Sequence, residues 1–142
     1  METPTLKLSL YGSSLPSKKN SKQIMYNRKT NRPFIMSSTD YLQWHKNATV
    51  EIIQWKVRNI GKGFTFPITR CKMAVFFFFP DNRARDLDNK LASVMDVLVD
   101  TGVIISDKWQ VVRPITMDAG ISKTTPRVDI YITKADDEVR VR

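Results

Sequence analysis

The chain has 142 residues, 42% of them hydrophobic, enough for one ordinary domain with its own core and too few for two. Its 23 Lys and Arg against 14 Asp and Glu give a net charge of +9, which calls for an anionic partner: nucleic acid, an anionic membrane surface or an acidic protein. A membrane is the weakest of these, because no apolar run approaches the roughly 20 residues needed to span one. Residues 1–12 alternate instead of forming the apolar block of a signal peptide. Cys71 is the lone cysteine, which excludes an internal disulfide and fits a reducing, cytoplasmic setting.

Leu6, Leu8 and Leu10 alternate with polar residues, the pattern of a half-buried strand. Residues 13–22, rich in Ser and Lys with Pro16 and Asn20, read as a basic loop. Two short runs, 23–28 and 32–36, flank Lys29-Thr30-Asn31 as a small hairpin. Ser37 or Ser38 can cap a first helix whose buried stripe is Tyr41, Trp44, Ala48, Ile52 and Trp55. Cys71 to Phe79 is almost continuously apolar, as expected of a central strand covered on both faces. A second helix from about Asp88 to Asp100 buries Leu87, Leu91, Val94, Met95 and Leu98 and ends at Gly102. Residues 110–117 and 127–133 read as two more strands joined by a turn around Gly120. The charged stretch 134–142 is expected to fray. The order predicts one domain over 1–142, class α+β, a mixed sheet with two main helices packed on it.

The chemistry concentrates around Asp86 and Asp88. In extended chain these project to one side while Leu87 points to the core, and both lie where the positive end of a helix dipole favours ionised acids. A third carboxylate, Asp107, follows the second helix. That helix carries the chain about 20 Å away, and residues 103–106 are too few to return. Asp107 therefore meets the pair through the tertiary fold or across a subunit boundary. If the three converge, a hard divalent cation, magnesium above all, relieves their repulsion and polarises a phosphate. On spacing alone a second reading stands beside this one: Asp86 as a helix cap, Asp88 as a dipole partner and Asp107 as a turn residue.

Arg83 and Arg85 directly precede the acids, within reach of phosphates flanking such a metal, or in local charge balance with Asp81 and its neighbours. Lys18, Lys19 and Lys22 offer flexible cations to a phosphate backbone. Lys90 is a candidate to neutralise charge at the phosphate, or an exposed helix residue. Asn89 can orient a carboxylate or cap the helix. His45 has no second histidine to pair with, which speaks against zinc. The absence of a Gly-rich phosphate loop argues against a nucleotide cofactor.

The run Pro80-Asp81-Asn82-Arg83-Ala84-Arg85-Asp86-Leu87-Asp88-Asn89, then a helix containing Asp96, then Gly102 and Asp107, resembles the RusA family of Holliday junction resolvases, the crossover junction endodeoxyribonucleases. Leu15-Pro16-Ser17 with Lys18, Lys19 and Asn20 is similar to that family's N-terminal region. The resemblance implies that Asp86, Asp88 and Asp107 are essential metal-binding carboxylates. It also implies a magnesium-dependent homodimer that nicks two opposed strands of a four-way DNA junction symmetrically, in recombination and repair. The family's catalytic lysine falls on Ala92. Lys90, about 200° around the helix from that position, is the catalytic candidate in its place. Ser106 stands where an acid often precedes the third Asp. The alternative is a non-catalytic branched-DNA-binding protein that keeps the fold and has lost turnover.

Overall fold

The computed structural model describes residues 4–12, 22–37 and 39–135. In chain order these form β1 (Thr5–Tyr11), β2 (Lys22–Tyr26), β3 (Pro33–Ser37), α1 (Thr39–Asn59), β4 (Cys71–Phe79), α2 (Leu87–Asp100), β5 (Val112–Ile121) and β6 (Arg127–Lys134). Strands β2 and β3 pair as the expected hairpin, apart from a four-stranded sheet of order β1-β6-β4-β5. In that sheet β4 and β5 run parallel and the other pairs antiparallel. The fold is α+β with a mixed sheet.

Register explains the core. Leu6, Leu8 and Leu10 lie opposite Ile132, Ile130 and Val128, which in turn lie opposite Met73, Val75 and Phe77. Successive side chains alternate between faces, so these nine residues form three apolar rows on one side of the sheet. All nine are buried. They share one core cluster with Ala48, Ile52 and Trp55 of α1 and Val94, Met95, Val97 and Leu98 of α2. The stripe read from the first helix holds, with Trp44 half-buried at its margin. Trp55 locks α1 to β1 by donating its indole N–H to the Lys7 carbonyl at 2.8 Å.

Helix α2 ends as its sequence requires. Gly102 adopts φ +74°, the left-handed conformation that glycine takes without steric cost. The Val103 and Gly102 N–H groups donate to the Leu98 and Val99 carbonyls, each at 3.0 Å, closing a Schellman cap. The Lys56 ammonium adds a bond to the Thr101 carbonyl.

Three expectations need correction. Strand β4 is central but its burial alternates: Lys72 is exposed, and Ala74, Phe76 and Phe78 are half-buried. The apolar run misleads because its outer-face aromatics are covered by neighbouring side chains, Phe76 by the Tyr131 ring and Phe78 by the Arg127 guanidinium. Gly120 is no turn; it lies in β5, opposite Phe78, and the connection to β6 falls at 122–126. Lys134, placed in the charged tail, is the last residue of β6; residues 136–142 lie outside the described residues.

Cys71 is fully buried at the start of β4, and desolvation pushes its thiol up to about 11. Only the thiolate is a nucleophile. The native protein should therefore resist iodoacetamide at pH 8 and react in denaturant, read by intact mass; rapid native alkylation would contradict the packing.

Candidate active site

The segment that leads from β4 to α2 is held by Asp81. Its carboxylate accepts hydrogen bonds from the Arg83 backbone N–H at 3.0 Å, the Arg83 Nε and, at 2.8 Å, the Arg85 Nη2. Those bonds, from Arg83 first and then Arg85, hold the Asp81 carboxyl well below the usual carboxylate range. The Arg85 Nη1 also donates to the Asp81 and Arg83 carbonyls, and its guanidinium sits 4.6 Å above the Phe79 ring. Arg85 is thereby fixed at the C-terminal end of β4, with its charge partly shielded. Arg83 keeps a side chain 80% exposed, so its cation faces solvent. Of the two roles read from sequence for these arginines, the structure displays charge balance with Asp81.

Asp86 is the residue before α2. It is extended, with φ −89° and ψ 111°, and makes no side-chain cap bond to the helix. Asp88 lies in the first turn of α2. Both carboxylates are exposed, and the Asn89 amide donates to Asp86 Oδ2 at 3.4 Å. Asn89 orients a carboxylate, therefore, instead of capping the helix. Lys90 is half-buried rather than exposed; burial, and then the Arg85 charge, lower its pKa. Ala92 is exposed.

Asp107 sits elsewhere. It lies between Ile105, whose N–H donates to the Ile68 carbonyl, and Val111, whose carbonyl accepts from the Cys71 N–H. Both anchors belong to the N-terminal end of β4, whereas Arg85 on Phe79 ties Asp86 to the other end. The intervening 14-residue helix α2 spans roughly 20 Å. One copy of the chain therefore places Asp86 and Asp88 at the start of α2 and Asp107 toward the opposite end of β4. Lys18 and Lys19 lie outside the described residues, as does Ser38; Lys22 begins β2.

A different set of ionisable side chains does converge. Among the described residues, ligand atoms of His45, Asp96 and Asp100 lie within 4.8 Å of one another. They join α1 to α2: Tyr41 donates its hydroxyl to Asp96, and His45 Nε2 lies 2.8 Å from Asp100 Oδ2. Burial, and then Asp96, drive the Tyr41 phenol above its ordinary range. Sequence reading weighed His45 only as a histidine without a second one to pair with, and missed this seam. Its signal was an i, i+4 pair on each helix, Tyr41 with His45 and Asp96 with Asp100, whose meeting depends on tertiary packing.

The family model of the RusA endodeoxyribonucleases matches residues 16–133, most of the chain, including all three aspartates and both arginines. The chain belongs to the RusA endodeoxyribonuclease family. No curated protein matches it. RusA membership assigns nuclease chemistry on DNA, and a nuclease of this kind uses a divalent metal. The donors suit such an ion: Asp86 and Asp88 are hard oxygen ligands exposed at a helix start. In one copy of the chain Asp86 and Asp88 stand at that helix start and Asp107 does not.

Tyr41 is buried, so Tyr41→Phe removes a donor to a carboxylate that stays behind. We expect a loss of about 1.5–3 kcal/mol, seen as a lower thermal midpoint. An unchanged midpoint would show that the α1–α2 seam contributes nothing.

Proposed function

We propose that this RusA protein is a magnesium-dependent, structure-selective endonuclease that resolves four-way DNA junctions as a homodimer. Its site consists of Asp86 and Asp88 from one copy and Asp107 from the other. The observation that carries the reading is the parallel pairing of β4 with β5. Cys71 lies opposite Val112 and Phe79 opposite Ile121, so β5 begins at the Asp107 end and finishes at the Asp86 end. Strand β5 is also the sheet edge, with Ile115, Met117 and Ile121 exposed along it. An exposed apolar edge strand is a template for pairing with another chain. Antiparallel pairing of β5 with its copy about a two-fold axis reverses the strand. The start of the partner's β5 then falls level with Phe79, and the partner's Asp107 reaches the Asp86–Asp88 end. Two equivalent sites result, one per opposed strand of a near two-fold junction.

When bound, magnesium supplies Lewis-acid polarisation of the scissile phosphate and eases deprotonation of an attacking water. The protein's own residues position the substrate. Arg83 presents an exposed guanidinium to a flanking phosphate, while Arg85, clamped on Asp81 and Phe79, fixes the segment that carries Asp86. Asn89 orients the Asp86 carboxylate. Lys90 lies close enough to Arg85 to feel its charge and adds positive potential to the same end. Lys18, Lys19 and Lys22 contribute cations for a duplex arm. Cleavage proceeds by hydrolysis, without a covalent enzyme intermediate.

A second reading rests on Ala92, which stands exposed where the family's lysine falls: a junction-binding protein without turnover. One assay separates the two. A synthetic four-way junction is incubated with the protein in magnesium, in calcium or with chelator. Symmetric nicks in magnesium alone support the enzyme; retention of the junction without nicks supports the binding module. In that assay Asp86→Asn should lower cutting by at least about 100-fold and leave junction binding equal or tighter, since it removes negative charge beside the phosphate. Normal cutting by Asp86→Asn would refute the assignment.

A further inference from the structure

Four consecutive exposed residues, Asp107, Lys108, Trp109 and Gln110, lead into β5. Backbone bonds fix this segment on both sides. The Ile105 N–H donates to the Ile68 carbonyl at 3.0 Å, and the Val111 carbonyl accepts from the Cys71 N–H at 2.8 Å. Between them the Lys108 carbonyl accepts from the Val111 and Val112 N–H groups at 3.0 and 3.1 Å, closing a turn with Trp109 and Gln110 at its tip. The Arg113 guanidinium stands over the Trp109 ring, 5.2 Å from its centroid, and its Nη1 donates to the Trp109 carbonyl at 3.5 Å. The Arg113 backbone is held in turn by Arg70, whose Nη1 donates to its carbonyl at 2.7 Å. Trp109 is nevertheless 57% exposed, against 5% for Trp55 in the core.

An indole carries a large apolar surface, and leaving it in water forgoes the burial that stabilises such a ring elsewhere. Arg113 covers one face through a cation–π contact, and much of the rest stays in solvent. An aromatic face presented between cations suits a nucleobase. Every base has a π face, so stacking needs no particular sequence, and Lys108 and Arg113 attract the phosphates that flank it. A base inside a continuous duplex is already stacked on both sides. The ring therefore finds a base face only where the stack is interrupted, at a branch point or an unpaired base. Two positions separate Trp109 from Asp107, at most about 7 Å of chain, so a phosphate at Asp107 brings its neighbouring bases within reach of the indole.

We propose that Trp109 is the stacking platform for an unstacked base beside the scissile phosphate. It sets the preference for DNA with an interrupted stack over linear duplex, and Arg113 is the residue that positions it. The inference rests on the reading of Asp107 as a metal ligand at that phosphate.

The test uses the full-length protein with calcium in place of magnesium and three DNAs of shared sequence: a four-way junction, a linear duplex and a duplex with one unpaired base. 2-Aminopurine, whose emission falls on stacking, replaces adenine at the branch point and at the unpaired position. The parent should quench it. Trp109→Ala should abolish the quenching and weaken junction binding about tenfold, with linear duplex bound as before. Trp109→Phe, which keeps a stacking ring, should recover most of both. The proposal is overturned if the parent leaves the emission unchanged at both positions, or if Trp109→Ala quenches or binds as the parent does. It is equally overturned if Trp109→Ala weakens junction and linear duplex alike, if Trp109→Phe does no better than Trp109→Ala, or if either variant halves the mass in light scattering, which would assign the ring to a subunit interface. A parent that prefers the junction while Trp109→Ala matches it keeps the nuclease reading and loses the stacking. A parent without that preference, which still quenches the unpaired base through Trp109, keeps the stacking and loses the junction reading. A parent that binds none of the three DNAs overturns both.

Discussion

The parallel pairing of β4 and β5 is the constraint on which the rest of the molecule depends. Parallel neighbours cannot be joined by a tight turn; the chain must travel back the full length of the strand before starting again. Helix α2 makes that return, and its apolar face of Val94, Met95, Val97 and Leu98 covers the sheet while doing so. The consequence is geometric. Whatever precedes α2 stands at one end of β4, and whatever precedes β5 stands at the other. Asp86 and Asp88 fall into the first class and Asp107 into the second.

Charge is distributed along the same axis. At the Asp86 end, Arg85 is braced by Asp81 and by the Phe79 ring, so it holds the segment more than it offers charge to a ligand. Arg83 shares Asp81 but stays in solvent, where its ion pair is worth little and its cation is available. At the Asp107 end, Arg70 lies buried with an unmet donor beside Lys134. Both arginines at the Asp86 end thus share Asp81, Arg85 from a braced position and Arg83 from solvent.

Much of this was legible in the sequence. The period of 3.6 located α1 and its buried stripe, alternation located β1, and Gly102 located the end of α2. Helix length alone implied that Asp107 could not return to Asp86 within the few residues available. What escaped has physical reasons. The run Cys71–Phe79 looked buried on both faces because Phe76 and Phe78 are apolar by composition, yet they are capped by Tyr131 and Arg127 from the neighbouring strand, a register effect. Gly120 looked like a turn because glycine usually marks one, but in β5 it pairs opposite Phe78, where a Cβ would already stand in contact with that ring at 3.7 Å. The Tyr41–Asp96 and His45–Asp100 contacts join residues 55 apart, and no local pattern reports a contact of that range.

The central claim is that each cutting site draws its carboxylates from two copies of the chain, and subunit mixing tests it most directly. Asp86→Asn protein and Asp107→Asn protein, each expected to be inactive alone, are unfolded together, refolded in equal amounts and given a four-way junction with magnesium. If the sites are shared, every mixed dimer holds one site with all three acids intact, and nicking should return to about a quarter of the wild-type level. If each copy carries its own complete site, both sites of the mixed dimer lack an acid, and the mixture should stay as inactive as its components.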